Sequence, residues 1–553
     1  MPPRLQGRRA IGAITTATLV AGLLSYTALT QMPSTSTTKL EGDAGQRQTR
    51  MNVEMPAPYA PGQFPPSTAR IADIDLEGPR AGETRDRFAS FKEGGVERVA
   101  DNPVSTFSVD VDTASYAYVR QTLQDGVMPP ADAVRVEELI NYFDYDYDAP
   151  PSDGPPFAAG VSVIPSPWNP NNRLVHIGIQ GQRVDIGSVA PANLVLLIDT
   201  SGSMNAPDKL PLLKRALALL VQEMRPQDTI SIVTYAGSAG IALAPTPIAR
   251  RADILAVLER LEPGGSTAGA QGIQAAYALA EQAFIDGGNN RVLLSTDGDF
   301  NVGIAEPDDL ERLIEQKRRS GISLSILGFG RGNYNDAAMQ ALAQAGNGTA
   351  AYIDNFLEAR KVLVDELGGT LMTIAKDVKL QVEFNPRTVS EYRLIGYETR
   401  LLQREDFNND AVDAGDIGAG HSVTALYEIT PVGAPGSMDL PRYTPAGAPA
   451  TTDHADELGY LKIRYKAPTS DTSALIETPI AMAPLTTFEA APEATRFAVA
   501  VAAFGQKLRA SQHLGAMDWA SIQSLARSGI GEDPTGRRAE LLRLIDVASG
   551  LYR

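Results

Sequence analysis

Between residues 193 and 353 short apolar runs alternate with stretches of helical spacing. The run Leu194-Val195-Leu196-Leu197-Ile198 has no polar break, the pattern of a strand buried on both faces. Residues 229–235, 291–295, 323–327 and, more weakly, 350–353 read as further strands. The segments between them predict helices at about 209–223, 254–261, 269–284, 307–320 and 336–345. Alternation of this kind predicts βαβ units with right-handed crossovers and a mostly parallel sheet. A last long helix, 355–372, is expected to lead out.

The flanks read differently. Residues 107–112 alternate like a half-buried strand, followed by a helix over 114–123 and a second helix starting at Pro129-Pro130. Strands are expected over 157–164 and 174–180. After Ala375 the βα alternation stops. Residues 378–384, 389–397, 422–430 and 460–465 suggest antiparallel β structure. From Pro492 the chain turns helical, with Phe497, Val501, Phe504 and Leu508 at helical spacing and another helix over 537–551.

The N-terminus has an export pattern. Arg4, Arg8 and Arg9 precede an apolar stretch from Ala10 to Leu29. It reads as a signal peptide or a membrane anchor, and the lack of a convincing small-x-small cleavage site favours the anchor. Residues 31–95 are rich in Pro, Thr, Ser, Gly and Ala and read as a disordered tether. The organisation expected is therefore 1–30 signal or anchor, 31–95 linker, 96–185 an α+β N-terminal region, 190–374 the α/β domain, 375–480 a β-rich region and 481–553 a helical region. The chain is expected outside the cytoplasmic membrane, periplasmic or anchored and facing the periplasm.

The net charge of −17 over 553 residues leaves no basic surplus to neutralise phosphates, which argues against nucleic acid. Cysteine is absent, so disulfides, thiolate metal sites, a cysteine nucleophile and a lipidated cysteine are excluded. Only four histidines occur, and none forms an H-E-x-x-H zinc motif.

The chemistry concentrates at strand ends. Asp199-Thr200-Ser201-Gly202-Ser203 leaves the buried strand and crowds one carboxylate and two hydroxyls into one turn. Gly264-Gly265-Ser266-Thr267 places a hydroxyl just before a helix, and Thr296-Asp297-Gly298-Asp299 ends another strand with a carboxylate. In a parallel sheet these loops gather at the carboxyl edge, where such folds place ligands. Asp199, Ser201, Ser203, Thr267 and Asp297 form an oxygen-only donor set, suited to a hard divalent cation: Mg²⁺, or Mn²⁺ or Ca²⁺. Taken singly, each could be an ordinary turn or cap residue.

This set resembles the metal-ion-dependent adhesion site of von Willebrand factor type A domains, and the pattern is complete. The resemblance implies an α/β, Rossmann-like fold with helices on both faces of the sheet. It implies that Ser201, Ser203 and Thr267 touch the ion, and that Asp199 and Asp297 often act through bound water. It further implies an open coordination position for an Asp or Glu of a protein partner. The blocks Asn102–Asp112, Val136–Phe143 and Asp406–Asp410 look like those of a bacterial cell-envelope type A family with its own flanking regions, covering roughly Asn102 to Arg553.

The function expected is a non-enzymatic envelope binding protein, its membrane contact confined to the N-terminal segment. The alternatives are a metal-dependent hydrolase, for which Asp299 is the only obvious spare acid or base, and an assembly factor for an envelope complex. Weaker signals read as structure. Asp406–Asp410 begins like an EF-hand loop but has Ala411 and Ile417 where Gly and Glu belong, so a solvated loop fits better. Asp110 and Asp112 read as surface polar alternation ahead of a second ion site. Gly328-Phe329-Gly330-Arg331-Gly332 lacks nucleotide-loop spacing and reads as a flexible turn. Ala236–Gly240 misses the first glycine of a nucleophile elbow.

Overall fold

A computed structural model describes residues 85–151, 153–184, 190–265, 269–298, 307–366, 369, 372–439, 454–468, 470, 472–482 and 487–552. The export segment, most of the tether, Thr267 and Asp299 lie outside the described residues. Among the described residues no helix is long and apolar enough to cross a membrane.

In chain order the strands are β1 (Glu97–Arg98), β2 (Val104–Ser108), β3 (Phe157–Pro165), β4 (Arg173–Gly181), β5 (Ala192–Asp199), β6 (Thr229–Tyr235), β7 (Ala239–Pro247) and β8 (Asn289–Thr296). They continue with β9 (Ile322–Phe329), β10 (Ala350–Ile353), β11 (Thr373–Phe384), β12 (Val389–Ile395), β13 (Ile417–Gly418), β14 (Ser422–Pro431), β15 (Glu457–Lys466) and β16 (Ser473–Ala481). The helices are α1 (Ala114–Gln124), α2 (Val136–Asn141), α3 (Leu210–Glu223), α4 (Arg251–Glu259), α5 (Gly269–Gln282), α6 (Pro307–Arg319), α7 (Asp336–Ala345), α8 (Phe356–Arg360), α9 (Glu493–Leu508), α10 (Trp519–Ser528) and α11 (Arg537–Leu551).

The central sheet has six strands in the order β10-β9-β8-β5-β6-β7. All neighbours are parallel except β6 and β7. β5 lies inside and is buried along its whole length, as its unbroken apolar run requires. Helices cover both faces. Leu213, Leu217 and Leu220 of α3 pack with Leu194, Leu196 and Ile198, while Ile273 and Tyr277 of α5 pack with Val195 and Leu197. The fold is α/β, with the antiparallel sheets of the flanks beside it.

Those flanks interleave. β4 pairs β14, placing His176 opposite Leu426, and β2 pairs β11, placing Phe107 opposite Leu380. One antiparallel sheet runs β1-β12-β14-β4-β3 and the other β13-β11-β15-β16, with β2 on β11. Val175, Ile177 and Tyr427 of the first share a core with Leu380, Val382 and Ile463 of the second. α9 joins Leu139, Ile164, Leu174 and Leu426 in a separate core through Phe497, Val501 and Phe504.

Several elements differ from the pattern reading. β7 and β16 carry prolines, which edge strands tolerate, and proline weakened the strand signal there. α10 is short, and its signal is the Asp518 cap accepting from Ser521 N at 2.8 Å. The start at Pro129-Pro130 is a 3₁₀ turn, Ala131–Ala133, separate from α2. The long helix expected over 355–372 stops as α8 at Arg360 and continues as a π turn, Lys361–Asp365; its end lies partly outside the described residues. Residues 85–95, expected in the tether, lie against the fold: Arg87 N donates to Tyr334 O at 2.8 Å, and Asp336 N to Arg87 O at 3.0 Å.

Asp110 and Asp112 are not surface residues. They are buried and share Arg400, at 3.0 and 2.9 Å, and Asp112 also accepts from Ala350 N at 3.0 Å. Asp406 completes a capping box with Gln403. Asp410 is exposed, and hydrogen bonds from Ser473 and Arg464 hold its carboxyl down at about 2.

Glu137 of α2 is fully buried. Burial, followed by the charges of Glu398 and Asp110, pushes it up to about 8. A carboxyl raised on folding stabilises most below its unfolded range and loses that contribution as pH climbs through its folded value. Urea unfolding of Glu137→Gln is therefore expected to show a variant more stable than wild type at pH 9, by on the order of 2 kcal/mol, with the gap closing near pH 5. A constant gap across that range would contradict it.

Candidate metal centre

β5 delivers Asp199 to the carboxyl edge with its side chain fully buried. Asp199 Oδ1 accepts from Ser201 N at 2.8 Å, an Asx-type turn that folds the chain back at once. Ser201, in extended backbone, caps a 3₁₀ turn, Gly202–Asn205, so both serine hydroxyls point to one side with Oγ atoms 3.0 Å apart. Ser201 is buried and Ser203 exposed, so the pair runs from the interior to the surface.

Backbone hydrogen bonds stitch the next loop against this turn. Gly264 N donates to Thr200 O at 2.7 Å and Gly202 N to Gly265 O at 3.1 Å. Thr200 N is tied to Tyr235 O of β6 at 2.9 Å. The described part of this loop, through Gly265, therefore lies against the serine turn; Thr267 is outside the described residues.

β8, adjacent to β5, supplies the third loop. Thr296 Oγ1 donates to Asp199 Oδ2 at 3.3 Å and accepts from Gly298 N at 3.2 Å. Gly298 has φ +103°, and a Cβ there would sit 2.4 Å from Asn333 O, so only glycine makes the turn. Asp297 is fully buried. Its Oδ2 accepts from Lys209 Nζ at 2.8 Å, and its Oδ1 is buried without a hydrogen-bond partner.

The structure thus brings together Asp199, Ser201, Ser203 and Asp297. Burial raises the Asp199 carboxyl above its ordinary value, and the nearby charge of Asp297 adds to this. Two buried carboxylates, one with an orphaned oxygen, beside two hydroxyls form a donor set suited to a hard cation. Among the described residues no group of three or more His, Cys, Asp or Glu side chains could hold a metal. A cation here depends on the hydroxyls as well as the two aspartates.

Sequence reasoning missed Lys209 and Thr296. Lys209 had a signal: it stands at the N-cap of α3, where the helix dipole disfavours a cation and Ser, Thr, Asp or Asn is the usual choice. A lysine there implies a nearby anion. Of the segment Gly328–Gly332, expected as a turn, Gly328 and Phe329 end β9, and the turn that follows has its own place because Gly330 passes over the Lys209 stem. Ala236–Ser238 is the turn between β6 and β7, closed by Ala236 N donating to Ser238 O at 3.1 Å, and Ala239 and Gly240 begin β7.

Three family models match in series: von Willebrand factor over residues 82–176, von Willebrand factor type A domain over 193–364, and "Uncharacterized protein YfbK, C-terminal" over 369–551. Uncharacterized protein YfbK of Escherichia coli (strain K12) is 48% identical over 471 residues, covering 84% of this chain and 81% of that protein. Human inter-alpha-trypsin inhibitor heavy chain H3 is 23% identical over 262 residues, 44% of this chain and 29% of that protein. Among solved structures, a von Willebrand factor type A protein from Catenulispora acidiphila aligns with a TM-score of 0.40 at 16% identity, covering 72% of this chain and 98% of that one. BatB from Bacteroides thetaiotaomicron aligns at 0.28 and 22% identity, covering 32% and 97%. With its central type A domain and a relative at 48% identity along most of its length, the chain belongs to the YfbK family of von Willebrand factor type A proteins.

Proposed function

We propose that this protein is an exported cell-envelope binding protein whose type A domain captures an acidic side chain of a protein partner through a divalent cation, in adhesion or complex assembly. The observation that carries the reading is the convergence of Asp199, Ser201, Ser203 and Asp297, with Asp297 Oδ1 buried and unpartnered. Asp199, Ser201, Ser203 and Asp297, with Thr267, hold Mg²⁺ or Mn²⁺. Three hydroxyls against two carboxylates leave the ion electron-poor. An incoming Asp or Glu then gains a charge-assisted contact at a partly dehydrated edge. The N-terminal apolar segment anchors the chain and the tether sets its reach from the membrane.

A partner pulled from envelope extract is expected to be lost in EDTA and restored by Mg²⁺ or Mn²⁺. Ser201→Ala should lower recovery at least about tenfold while the circular dichroism spectrum stays that of wild type. Recovery that ignores both chelator and substitution would sink the reading. A topology reporter fused after Arg553 checks the compartment: a signal from the cytoplasm would overturn export.

A further inference from the structure

The metal centre contains a cation of its own. Lys209 Nζ lies 2.8 Å from Asp297 Oδ2, with the lysine side chain 9% exposed and the aspartate 0%. Its stem has a shaped path: Gly330, at φ +68°, faces it so closely that a Cβ would lie 2.4 Å from Lys209 Cε and 2.6 Å from Cγ. The loop carrying Gly330 is itself pinned, because Asp86 Oδ1 accepts from Gly332 N at 2.8 Å and from Tyr334 N at 2.9 Å. The stem therefore runs beside Gly330 and its ammonium ends on Asp297, at the N-terminal end of α3 where the helix dipole opposes it.

The reason for this arrangement is charge balance. Asp199 and Asp297 are both fully buried, and buried carboxylates without a counter-charge are untenable. Lys209 compensates one of them. A divalent ion placed against the same two carboxylates meets a fixed ammonium already bound to one of its ligands, and the two cations repel at close range.

We infer that Lys209 is a resident counter-cation that occupies Asp297 before the divalent ion arrives and weakens the ion's hold once it is bound. This rests on the metal reading proposed above. The consequence is a site that stays folded without its ion and exchanges it readily, a useful property for capture that must be reversed.

The test is calorimetric titration of EDTA-stripped full-length protein with MnCl₂ and MgCl₂, comparing wild type, Lys209→Met and Lys209→Arg. Lys209→Met keeps the length of the stem beside Gly330 and removes the charge; Lys209→Arg keeps the charge. Lys209→Met is expected to bind Mn²⁺ about tenfold more tightly, with a lower melting temperature in EDTA and a larger rise on adding Mg²⁺. A Lys209→Met chain that folds only when Mg²⁺ is present is the extreme form of that result. Lys209→Arg should remain close to wild type. If Lys209→Met binds Mn²⁺ as weakly as wild type or more weakly, or if Lys209→Arg tightens binding as much, the inference is overturned while the metal reading stands. A wild-type protein that takes up no divalent ion overturns both.

Discussion

Asp199→Asn is expected to cut the affinity for Mn²⁺ or Mg²⁺ by about 100-fold or more, a loss of about 2.7 kcal/mol, without lowering the stability of the ion-free protein. The substitution preserves shape. Asp199 Oδ1 accepts from Ser201 N and Oδ2 from Thr296 Oγ1, at 2.8 and 3.3 Å. An amide oxygen can keep the first bond, and an amide nitrogen can donate back to the threonine hydroxyl. What disappears is a charge. Burial already raises the Asp199 carboxyl, so the ionised form is disfavoured in the empty site, and a neutral amide relieves that cost. Calorimetry reads the affinity. Thermal unfolding reads the rest: wild type should gain about 2.7 kcal/mol with the ion at 100 times its dissociation constant, and the variant at the same ion concentration only about 0.4 kcal/mol or less. An Asp199→Asn protein that binds Mn²⁺ within threefold of wild type would place the ion elsewhere.

Arg120→Met is expected to destabilise the protein by about 3–5 kcal/mol. Arg120 lies on α1, and its guanidinium reaches three other parts of the chain. Nε donates to Asp354 at 2.8 Å, just beyond β10, with a second contact from the other arm to the same carboxylate. The guanidinium also meets Glu358 of α8 at 2.8 Å, Tyr142 Oη at 2.7 Å and Glu540 of α11 at 3.2 Å. Arg120, Asp354 and Glu358 side chains are 3%, 2% and 1% exposed. Removing the arginine strands two carboxylates in a dry environment, and that penalty, more than the lost attraction, sets the magnitude. Glu540→Ala is the contrast. That side chain is 20% exposed, and water replaces its partner, so about 1 kcal/mol or less is expected. Urea unfolding of both variants checks the difference; equal effects would mean that the cluster is not the joint between these regions.

The legible part of this molecule was local. Leu194–Ile198 declared a strand buried on both faces because no polar residue interrupts it, and β5 spans Ala192–Asp199. Asp199, Ser201 and Ser203 were readable because a turn's chemistry is carried by neighbours in the chain, and their approach to Asp297 followed from parallel strands ending at one edge. β7 and β16 were hidden because their residues suit an edge strand, where prolines and small residues cost little. Asp110 and Asp112 looked like surface alternation because the cation that neutralises them, Arg400, is 290 and 288 residues away.

By itself the amino-acid order determined the α/β class, the parallel strands of the central domain and the helices between them, and the oxygen-only character of the candidate site, since hydrophobic period and turn chemistry act over a few residues. Tertiary structure alone decided which distant charges meet. The pairing of β4 with β14 and of β2 with β11, the union of Arg120 with Asp354 and Glu540, and the seat of Lys209 on Asp297 all depend on contacts between remote segments. No local pattern encodes them, because a buried charge is tolerated only where the completed fold brings its counter-charge, and that balance exists only once the chain has closed on itself.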